Sequence, residues 1–506
     1  MSPDQIKITI QTNGKKKLVT ASPGKLLLGL LREQGFEVYS PCGGNGTCGK
    51  CKVYLKNEGY ITSCVYTVEE DIEIVLPDAL EADILASQYE HSRVVPLVPG
   101  DPEKLAPFPY GVAIDIGTTT LAFHLVQLMT GVHTETRTAM NPQAKYGADV
   151  ISRINFCILN PEGLETMQQE IIRIINQQLI HFSEVSGIGS SDIVKITIAG
   201  NTTMLHLLLG ENPASLAFVP FTPVFTDRKL LHAKDLSLEC HPDAEVNILP
   251  SLTAYVGADI VAGIASLAPS ESIKNYLFID VGTNGEMALI TPQKIYCCAT
   301  AAGPAFEGAN IEFGMGALQG AISIFDGPGK YLTIGGAKPV GICGSGLIDM
   351  VASLVKSGII APDGNMESDY LVVSAENSGN NKEIFLTQKD IREVQLAKSA
   401  IISGIKLLIS EAGLSTNELD ALYMAGGFGN YIRTESAVII GLLPAELADR
   451  VIPVGNASGT GALLSLKSVY FDAILNDIKN RMEYIELAEK DDFMMEFAMN
   501  MDFLGG

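Results

Sequence analysis

The sequence predicts an α/β protein with a smaller α+β domain at its N-terminus. A strand, hairpin and helix pattern with a cysteine-rich loop fills the first 76 residues, and beyond residue 110 strands and helices alternate. A strand-end motif occurs twice in this second part, as Ala113-Ile-Asp-Ile-Gly-Thr-Thr-Thr and as Phe278-Ile-Asp-Val-Gly-Thr-Asn-Gly, so two half-domains of related design are expected. Because 506 residues exceed one compact core, we expect four parts: residues 1–76, a proline-rich connector over 77–109, and two lobes over 110–275 and 276–506.

The N-terminal segment has the element order of a β-grasp domain. Residues 6–11 and 17–21 predict two strands joined by a turn at Asn13-Gly14. Ser22 is placed to begin a helix as its N-cap, and the apolar run 26–31 supplies the buried side of that helix. A cysteine loop follows.

The cysteine loop contains Cys42, Cys48, Cys51 and Cys64, with the spacing C-x5-C-x2-C-x12-C. Four thiolates hold one [2Fe-2S] cluster, and the glycines between them allow the sharp turns that such a loop requires. A tetrahedral zinc site is the alternative, although a zinc ribbon usually has two C-x2-C pairs and this loop has one. The sequence therefore favours the iron-sulfur cluster.

Composition indicates the compartment and excludes several partners. Nine cysteines, four of them in one loop, indicate a metal site in a reducing compartment rather than a disulfide framework. The net charge of -23 argues against nucleic acid and anionic membranes as partners. The N-terminus lacks a secretory pattern and no apolar run is long enough to span a bilayer, so we expect a cytoplasmic protein. The other five cysteines are predicted to be small buried side chains, namely Cys157, Cys240, Cys297, Cys298 and Cys343.

A nucleotide site is predicted without a P-loop, because no G-x-x-x-x-G-K-[ST] pattern is present. The two strand-end motifs each offer a carboxylate that can hold Mg²⁺ through water, with glycine, hydroxyl and amide groups for phosphate. A third, glycine-rich turn after a later strand allows close approach of an adenosine. One motif alone is equally explained as a simple hairpin turn, but the three together favour ATP. The predicted residues are Asp115, Gly117, Thr118, Thr119 and Thr120; Asp280, Gly282, Thr283, Asn284 and Gly285; and Gly426, Gly427 and Gly429.

Four further polar residues have two readings each. Asp149 and Asp259 both follow Gly-Ala and can either reach Mg²⁺ or cap a helix, with capping favoured for Asp149. Glu286 can polarise the attacking water, but a solvent-facing strand position is favoured. Asn201 can line the phosphate cleft, cap the following helix, or do both.

The combination of motifs resembles a known family. Residues 4–76 are similar to ferredoxins, and the three turns over about 110–470 resemble the acetate and sugar kinase, heat-shock protein and actin superfamily. Several local motifs match one branch of it: Asn141-Pro-Gln-Ala-Lys-Tyr-Gly-Ala-Asp149, Ala199-Gly-Asn-Thr-Thr-Met-Leu-His206, Ala301-Ala-Gly-Pro-Ala-Phe-Glu307-Gly and Gly341-Ile-Cys-Gly-Ser-Gly346. With the ferredoxin segment, the chain resembles the reductive activators of corrinoid proteins.

This resemblance implies a two-lobed actin-like, ribonuclease H-like ATPase that transfers one electron from a [2Fe-2S] cluster to Co(II), regenerating Co(I) for methyl transfer. It implies ATP and Mg²⁺ as cofactors, with Asp115, Asp280 and Asp259 as catalytic carboxylates. The expected partners are a corrinoid methyl carrier protein and an upstream electron donor, with a homodimer as one arrangement. Two alternatives stay open: an ATP-driven electron donor to another low-potential metalloenzyme, and a nucleotide-binding redox sensor without turnover.

Overall fold

A computed structural model of the chain describes residues 5–12, 15–36, 38, 40, 44, 46, 51–56, 59–76, 92–282, 284–426 and 431–503. The N-terminal part forms a five-stranded sheet in the order β2-β1-β7-β4-β5, with a helix packed on it and a short β3-β6 pair beside it. Its buried core includes Ile8, Ile10, Leu27, Leu31 and Ile74. Its elements are β1 (Ile6–Thr12), β2 (Lys15–Ala21), β3 (Lys25–Leu26), α1 (Leu27–Glu33), β4 (Lys52–Leu55), β5 (Gly59–Thr62), β6 (Thr67–Val68) and β7 (Ile72–Val75).

The predicted hairpin is confirmed, whereas the predicted helix start is wrong. Lys25 pairs with Val68 in the β3-β6 ladder, so α1 begins only at Leu27 and Ser22 does not cap it. Leu26, the first residue of the apolar stretch 26–31 that predicted the helix, is thus part of a strand that pairs with a distant segment. Local helix signals cannot reveal such a pairing.

The second half of the predicted connector lies along the first lobe. Arg93 N–H donates to Ser266 O at 2.7 Å, Val98 N–H donates to Lys467 O at 2.9 Å, and Lys195 Nζ donates to Pro99 O at 3.0 Å. These extended residues are fixed by hydrogen bonds to the lobe.

The first lobe is built on a six-stranded sheet in the order β10-β9-β8-β11-β13-β12. Every residue of β11 (Ile193–Gly200), the fourth strand in this order, is buried, as expected for a strand covered on both faces. The elements are β8 (Tyr110–Ile116), β9 (Thr120–Gln127), β10 (Val132–Met140), α2 (Val150–Leu159), α3 (Gly163–Ser186), β11 (Ile193–Gly200), α4 (Thr202–Leu209), β12 (Lys229–His232), β13 (Glu245–Ile248) and α5 (Ala258–Ser266).

The second lobe is built on another six-stranded sheet, in the order β23-β22-β14-β15-β16-β24. A small three-stranded sheet and a two-stranded ribbon are inserted between its strands. The elements are β14 (Tyr276–Val281), β15 (Gly285–Ile290), β16 (Ile295–Thr300), β17 (Ala321–Phe325), β18 (Tyr331–Thr333), β19 (Gly341–Ile342), α6 (Gly344–Lys356), β20 (Tyr370–Val373), β21 (Ile384–Leu386), α7 (Gln388–Glu411), β22 (Ala421–Ala425), α8 (Thr434–Ile439), β23 (Val451–Gly455), α9 (Ala457–Lys467), α10 (Phe471–Arg481), β24 (Met482–Tyr484) and α11 (Asp491–Met499).

The two sheets repeat one topology. The order β10-β9-β8-β11-β13 in the first matches β16-β15-β14-β22-β23 in the second, strand for strand along the chain. In both, an antiparallel hairpin is followed by strands that add in parallel on the other side. The predicted pair of related half-domains is therefore confirmed, and the fold class with it.

Helix α9 joins the two lobes. It follows the last parallel strand of the second sheet, yet its residues belong to the core of the first lobe. The helix crosses α5 so closely that a Cβ on Gly461 would lie 2.3 Å from Ala262 O, which only glycine permits. No helix in the described part of the chain is long and apolar enough to cross a membrane.

Candidate functional site

The first strand-end motif forms a tight hairpin turn between β8 and β9. Gly117 N–H donates to Thr120 O at 3.1 Å, and a Cβ on Gly117 would lie 2.6 Å from that oxygen. Asn141 Nδ2 donates to Gly117 O at 2.8 Å. Glycine is thus required for the turn, and Asn141 holds the turn from outside by a hydrogen bond to its backbone.

Thr118, at the tip of this turn, is held by two neighbouring elements. Asn201 Nδ2 donates to Thr118 Oγ1 at 3.0 Å, and the Arg153 guanidinium donates to Thr118 O at 2.6 Å. Arg153 is completely buried and also donates to Gly147 O at 3.0 Å. Burial lowers the pKa of Arg153 to about 10, so the guanidinium is still protonated at neutral pH. No motif in the sequence predicted this buried cation.

The second strand-end motif forms the matching turn between β14 and β15. Gly282 N–H donates to Asn284 O at 2.9 Å. Gly426 follows β22 with a φ of +85°, and a Cβ there would lie 2.7 Å from Asp280 Oδ1. Glycine is therefore needed both for its backbone conformation and for the space beside Asp280. Thr283, Gly427 and Gly429 lie outside the described residues.

A cavity of about 250 Å³ separates the two turns. Both turns contribute to its wall, as do the N-terminal ends of four helices. Of the sequence-predicted residues, the structure brings together Asp115, Gly117, Thr118, Thr119, Thr120, Asp259, Asp280, Gly282, Asn284 and Gly426 around this cavity. The remaining predicted residue of the second turn, Gly285, begins β15 beside the cavity.

The four helix ends make the cavity suited to an anion. The helices are α4, α5, α6 and α9, and they begin after Asn201, Gly257, Cys343 and Asn456 respectively. Residues of each first turn line the cavity, namely Thr203, Asp259, Ser345 and Ser458. Free backbone N–H groups and the positive dipole ends of helices together bind phosphate groups.

Five carboxylates also line the cavity, namely Asp115, Asp259, Asp280, Glu286 and Glu307. Burial raises the pKa of Asp259 to about 7, with the Asp280 and Asp115 charges adding to the effect. Burial and the Asp115 charge raise the pKa of Asp280 to about 7. Burial, with Asp259 and Asp280 nearby, raises the pKa of Glu286 well above its ordinary value. The ionised carboxylates of this cluster therefore repel one another. A bound cation would reduce this repulsion.

Asp259 Oδ1 accepts a hydrogen bond from the backbone N–H of Ile260 at 2.9 Å, whereas Asp115 accepts one from a side chain at the start of α9. Ser458 Oγ donates to Asp115 Oδ1 at 2.7 Å. Burial raises the pKa of Asp115, but the Ser458 and Asn456 side chains oppose that shift. Asp115 is therefore the carboxylate that the protein stabilises most directly in its ionised form.

The structure distinguishes the two roles that the sequence allows for each of Asp149, Asp259, Asn201 and Glu286. Asp149 caps α2 and accepts a hydrogen bond from Ser152 N–H at 2.8 Å, which is the role that the sequence analysis favours. Asp259 lines the cavity from within the first turn of α5, whose N-cap is Gly257, and its Oδ1 accepts from Ile260 N–H at 2.9 Å. Asn201 both caps α4 and lines the cavity. The solvent-facing reading of Glu286 is wrong. Glu286 pairs directly across the hairpin with Asp280, and because cross-strand partners share a face of the sheet, it lies in the cavity with Asp280.

The described part of the cysteine loop fits a thiolate site. Cys51 and Cys64 are buried, and Cys64 N–H donates to Cys51 Sγ at 3.3 Å, the kind of backbone hydrogen bond that supports cluster sulfurs. Gly44 and Gly46 have φ values of +98° and +78°, as the predicted sharp turns require. Cys42 and Cys48 lie outside the described residues. Of the other cysteines, Cys297, Cys298 and Cys343 are buried, whereas Cys157 and Cys240 are half-buried.

Comparisons with known proteins agree with this architecture. Residues 10–78 match the family of 2Fe-2S iron-sulfur cluster binding domains, residues 110–269 match the RACo middle region, and residues 274–505 match the C-terminal ASKHA domain of RACo. The chain is 36% identical to the corrinoid activation enzyme RamQ of Eubacterium limosum, over 81% of this chain and 73% of RamQ.

Two further relatives extend the match. The chain is 27% identical to the [Co(II) methylated amine-specific corrinoid protein] reductase of Methanosarcina barkeri, over 75% of this chain and 72% of that protein. A solved structure of a reductive activator for a corrinoid, iron-sulfur protein superposes with a TM-score of 0.70 at 30% identity, covering 98% of both chains. This chain therefore belongs to the family of reductive activators of corrinoid proteins.

Proposed function

We propose that this protein uses ATP to drive the transfer of one electron from a [2Fe-2S] cluster to the Co(II) of a corrinoid protein, which restores Co(I) for methyl transfer. The observation that carries the proposal is the presence, in one chain, of a buried cysteine pair in a loop with glycine turns and a cavity between two lobes that is lined by four helix N-termini. The relatives support it, since one is named a corrinoid activation enzyme and another a Co(II) corrinoid protein reductase.

ATP is needed because the electron must move uphill. Plant-type [2Fe-2S] clusters have potentials near -400 mV, and the Co(II)/Co(I) couple lies below this value. Each deficit of about 59 mV corresponds to about 1.4 kcal/mol for one electron, so a gap of roughly 100 to 200 mV takes about 2 to 5 kcal/mol. Nucleotide binding can supply this only if the nucleotide-bound and free states differ in their affinity for the corrinoid protein.

The cavity residues divide the work of ATP binding. The helix ends and the Thr118 turn bind the phosphate groups, and the space beside Gly426 admits the adenosine. Asp115, Asp280 and Asp259 hold Mg²⁺ through water. Water-mediated binding is proposed because, among the described residues, no three His, Cys, Asp or Glu side chains stand close enough to hold a metal ion directly. Mg²⁺ usually retains several of its waters in such sites.

Glu286 is the carboxylate that we assign to the attacking water. Burial, with Asp259 and Asp280 nearby, raises its pKa well above the ordinary value, so its ionised form is a stronger base than a carboxylate of normal acidity. Its position opposite Asp280 across the hairpin places it on the same face as the proposed metal site. Asp280 and Glu286 would thus orient the cation and the water from one strand pair.

The electron path begins at the N-terminal domain. Cys42, Cys48, Cys51 and Cys64 are the proposed ligands of the cluster, which supplies one electron in each cycle and is reduced again by an upstream donor. The nucleotide-driven closure of the two lobes would act on the bound corrinoid protein, altering cobalt ligation so that its potential rises. We place this activity in the cytoplasm. A homodimer stays a prediction.

The decisive experiment is anaerobic. The reduced protein is mixed with a purified Co(II) corrinoid protein, with ATP and Mg²⁺, with ADP and Mg²⁺, or without nucleotide, and Co(I) absorption is followed. Co(I) is expected only with ATP, and Asp115→Asn should reduce its rate of formation by at least about 100-fold while leaving the cluster absorption unchanged. Co(I) formation that does not depend on ATP would contradict the proposal, and ATP hydrolysis stimulated by the corrinoid protein would exclude a sensor without turnover.

A further inference from the structure

An exposed apolar surface lies on the first lobe beside the nucleotide cavity. It is formed by one side of α2 and by the segment 214–224, and its exposed side chains keep between 43% and 81% of their area open to solvent. These side chains are Ile151, Ile158, Leu159, Phe218, Val219 and Val224. We call this set the α2 surface.

The two segments form one surface because they share a small core. Ile154 of α2, Leu216 and Ala254 are buried together in a cluster separate from the main core of the lobe. Phe221 packs against this cluster and meets Tyr255 edge-to-face at 5.3 Å between ring centroids. The exposed side chains are therefore held on an ordered base and are presented side by side.

The α2 surface carries no exposed charge. Residues 150–160 contain a single charged side chain, Arg153, and it is completely buried, while residues 212–226 contain none. The rest of the chain contributes to a net charge of -23. Contiguous apolar surface of this kind on a soluble protein usually marks a site of protein contact, and here an acidic partner would approach it without meeting like charge.

The helix that carries the α2 surface also contacts the turn between β8 and β9 that contains Thr118. Val150 and Tyr255, which belong to the small core beneath it, line the nucleotide cavity. On its inner side α2 carries Arg153, which donates to Thr118 O at 2.6 Å. Helix α2 thus exposes one face to solvent, and through Arg153 on its other face it holds the Thr118 turn. A change in the turn on nucleotide binding would be transmitted to the exposed face.

We infer that the α2 surface is the docking site for the corrinoid protein, an inference that rests on the proposed function. A second copy of this chain in a stable dimer would bury about 20–30 residues on each side, more than these two short segments offer, so the surface suits a transient partner. Of the two proteins that the activity requires, the electron donor must reach the N-terminal cluster. The corrinoid protein is the one whose affinity must follow the nucleotide state.

The test compares Leu159→Ser and Phe218→Ser with a control, Val185→Ser, which removes a side chain of similar exposure (61%) from α3 of the same lobe. Binding of each full-length variant to a purified Co(II) corrinoid protein is measured anaerobically with a non-hydrolysable ATP analogue. Leu159→Ser and Phe218→Ser should each weaken binding by about tenfold. The control should bind as the wild type does, and the melting temperature and cluster absorption of all three variants should be unchanged.

The outcomes separate this inference from the proposed function. If the wild type forms Co(I) with ATP and both surface variants bind the corrinoid protein as tightly as it does, the docking site is wrong and the function stands. If the variants instead shift the sedimentation of the protein alone from dimer to monomer, the surface belongs to a second copy and the inference fails. If the wild type neither binds nor reduces any corrinoid protein, the proposed function itself fails.

Discussion

The two lobes share a strand order but place different side chains opposite their first carboxylate. Asp115 and Asp280 occupy equivalent positions, each paired in parallel with an alanine, Ala199 in one lobe and Ala425 in the other. Across the hairpin, however, Asp115 faces Ala122, whereas Asp280 faces Glu286. The second lobe thus puts two carboxylates where the first has one.

The difference shows how a repeated half-domain can take on two tasks. In the first lobe the turn is braced by Arg153 and Asn201, and its carboxylate accepts a hydrogen bond from Ser458. In the second, burial and the neighbouring carboxylates raise the pKa values of Asp280 and Glu286. Under the proposed function, the first turn would hold the charged ligand in place, and the carboxyl groups of the second would take up and release protons around it.

Removing the extra carboxylate should have the largest effect. Glu286→Gln keeps the shape of the side chain but cannot accept a proton, so we expect ATP turnover stimulated by the corrinoid protein to fall by about 100-fold or more. Because like charges directly opposite on a sheet are destabilising, the same variant should melt at a higher temperature than the wild type. A variant that loses activity and melts lower would indicate a merely structural role for Glu286.

A smaller loss should follow from filling the space beside Asp280. Gly426→Ala would place a Cβ 2.7 Å from Asp280 Oδ1 and displace that carboxylate, so turnover should fall by about 10- to 100-fold. Gly413→Ala is the matched control, since Gly413 has a similar φ of +67° and nothing within 4 Å. Both variants bear the same kind of backbone strain, but only Gly426→Ala should lose activity. Equal losses would mean that strain, and not the contact with Asp280, is responsible.

The affinity for Mg²⁺ and nucleotide should depend on pH near neutrality. The pKa values of Asp259 and Asp280 are raised from 3.8 to about 7, so both are protonated in the free protein at pH 6 and must ionise for the cation to bind. The dissociation constant, measured by titration calorimetry, should rise as the pH falls from about 8 to 6, by about tenfold per unit for each proton displaced. Asp259→Asn should flatten this dependence by removing one proton.

The raised pKa values of Asp259 and Asp280 also determine how the free energy of unfolding changes with pH. Between pH 4 and 7 these two carboxyl groups are neutral in the folded protein and ionised in the unfolded chain, so the folded state binds more protons. Their contribution to the free energy of unfolding of the nucleotide-free protein therefore decreases as the pH rises through that range, and is constant above it. Thermal melting of the wild type and Asp259→Asn over this range measures the difference.

The sequence was sufficient for the repeated framework but not for the contacts between its parts. Asp115 and Asp280 could be predicted because each ends a buried strand within a recurring motif. Glu286 could also have been predicted: six residues after Asp280 across a short hairpin, it must share the face of its partner. Neither Arg153 nor Ser458 carried such a signal. Their roles depend on segments 35 residues and 343 residues away in the chain, and only the folded lobes bring these together.

The smallest change in stability is expected from Asp149, which caps a helix, and it can be compared with that from Asp259, which lines the cavity. Asp149 and Asp259 have the same Gly-Ala context, but Asp149 accepts from Ser152 N–H at the start of α2, whereas Asp259 faces the cavity. Asp149→Ala should therefore cost about 1 kcal/mol of stability, seen as a lower melting temperature, with ATP turnover unchanged. Asp259→Ala should do the opposite, since removing a carboxylate from a crowded acidic cavity relieves repulsion while it removes a group needed for the cation. If the two variants behaved alike, the different placement of these two aspartates would have no functional meaning.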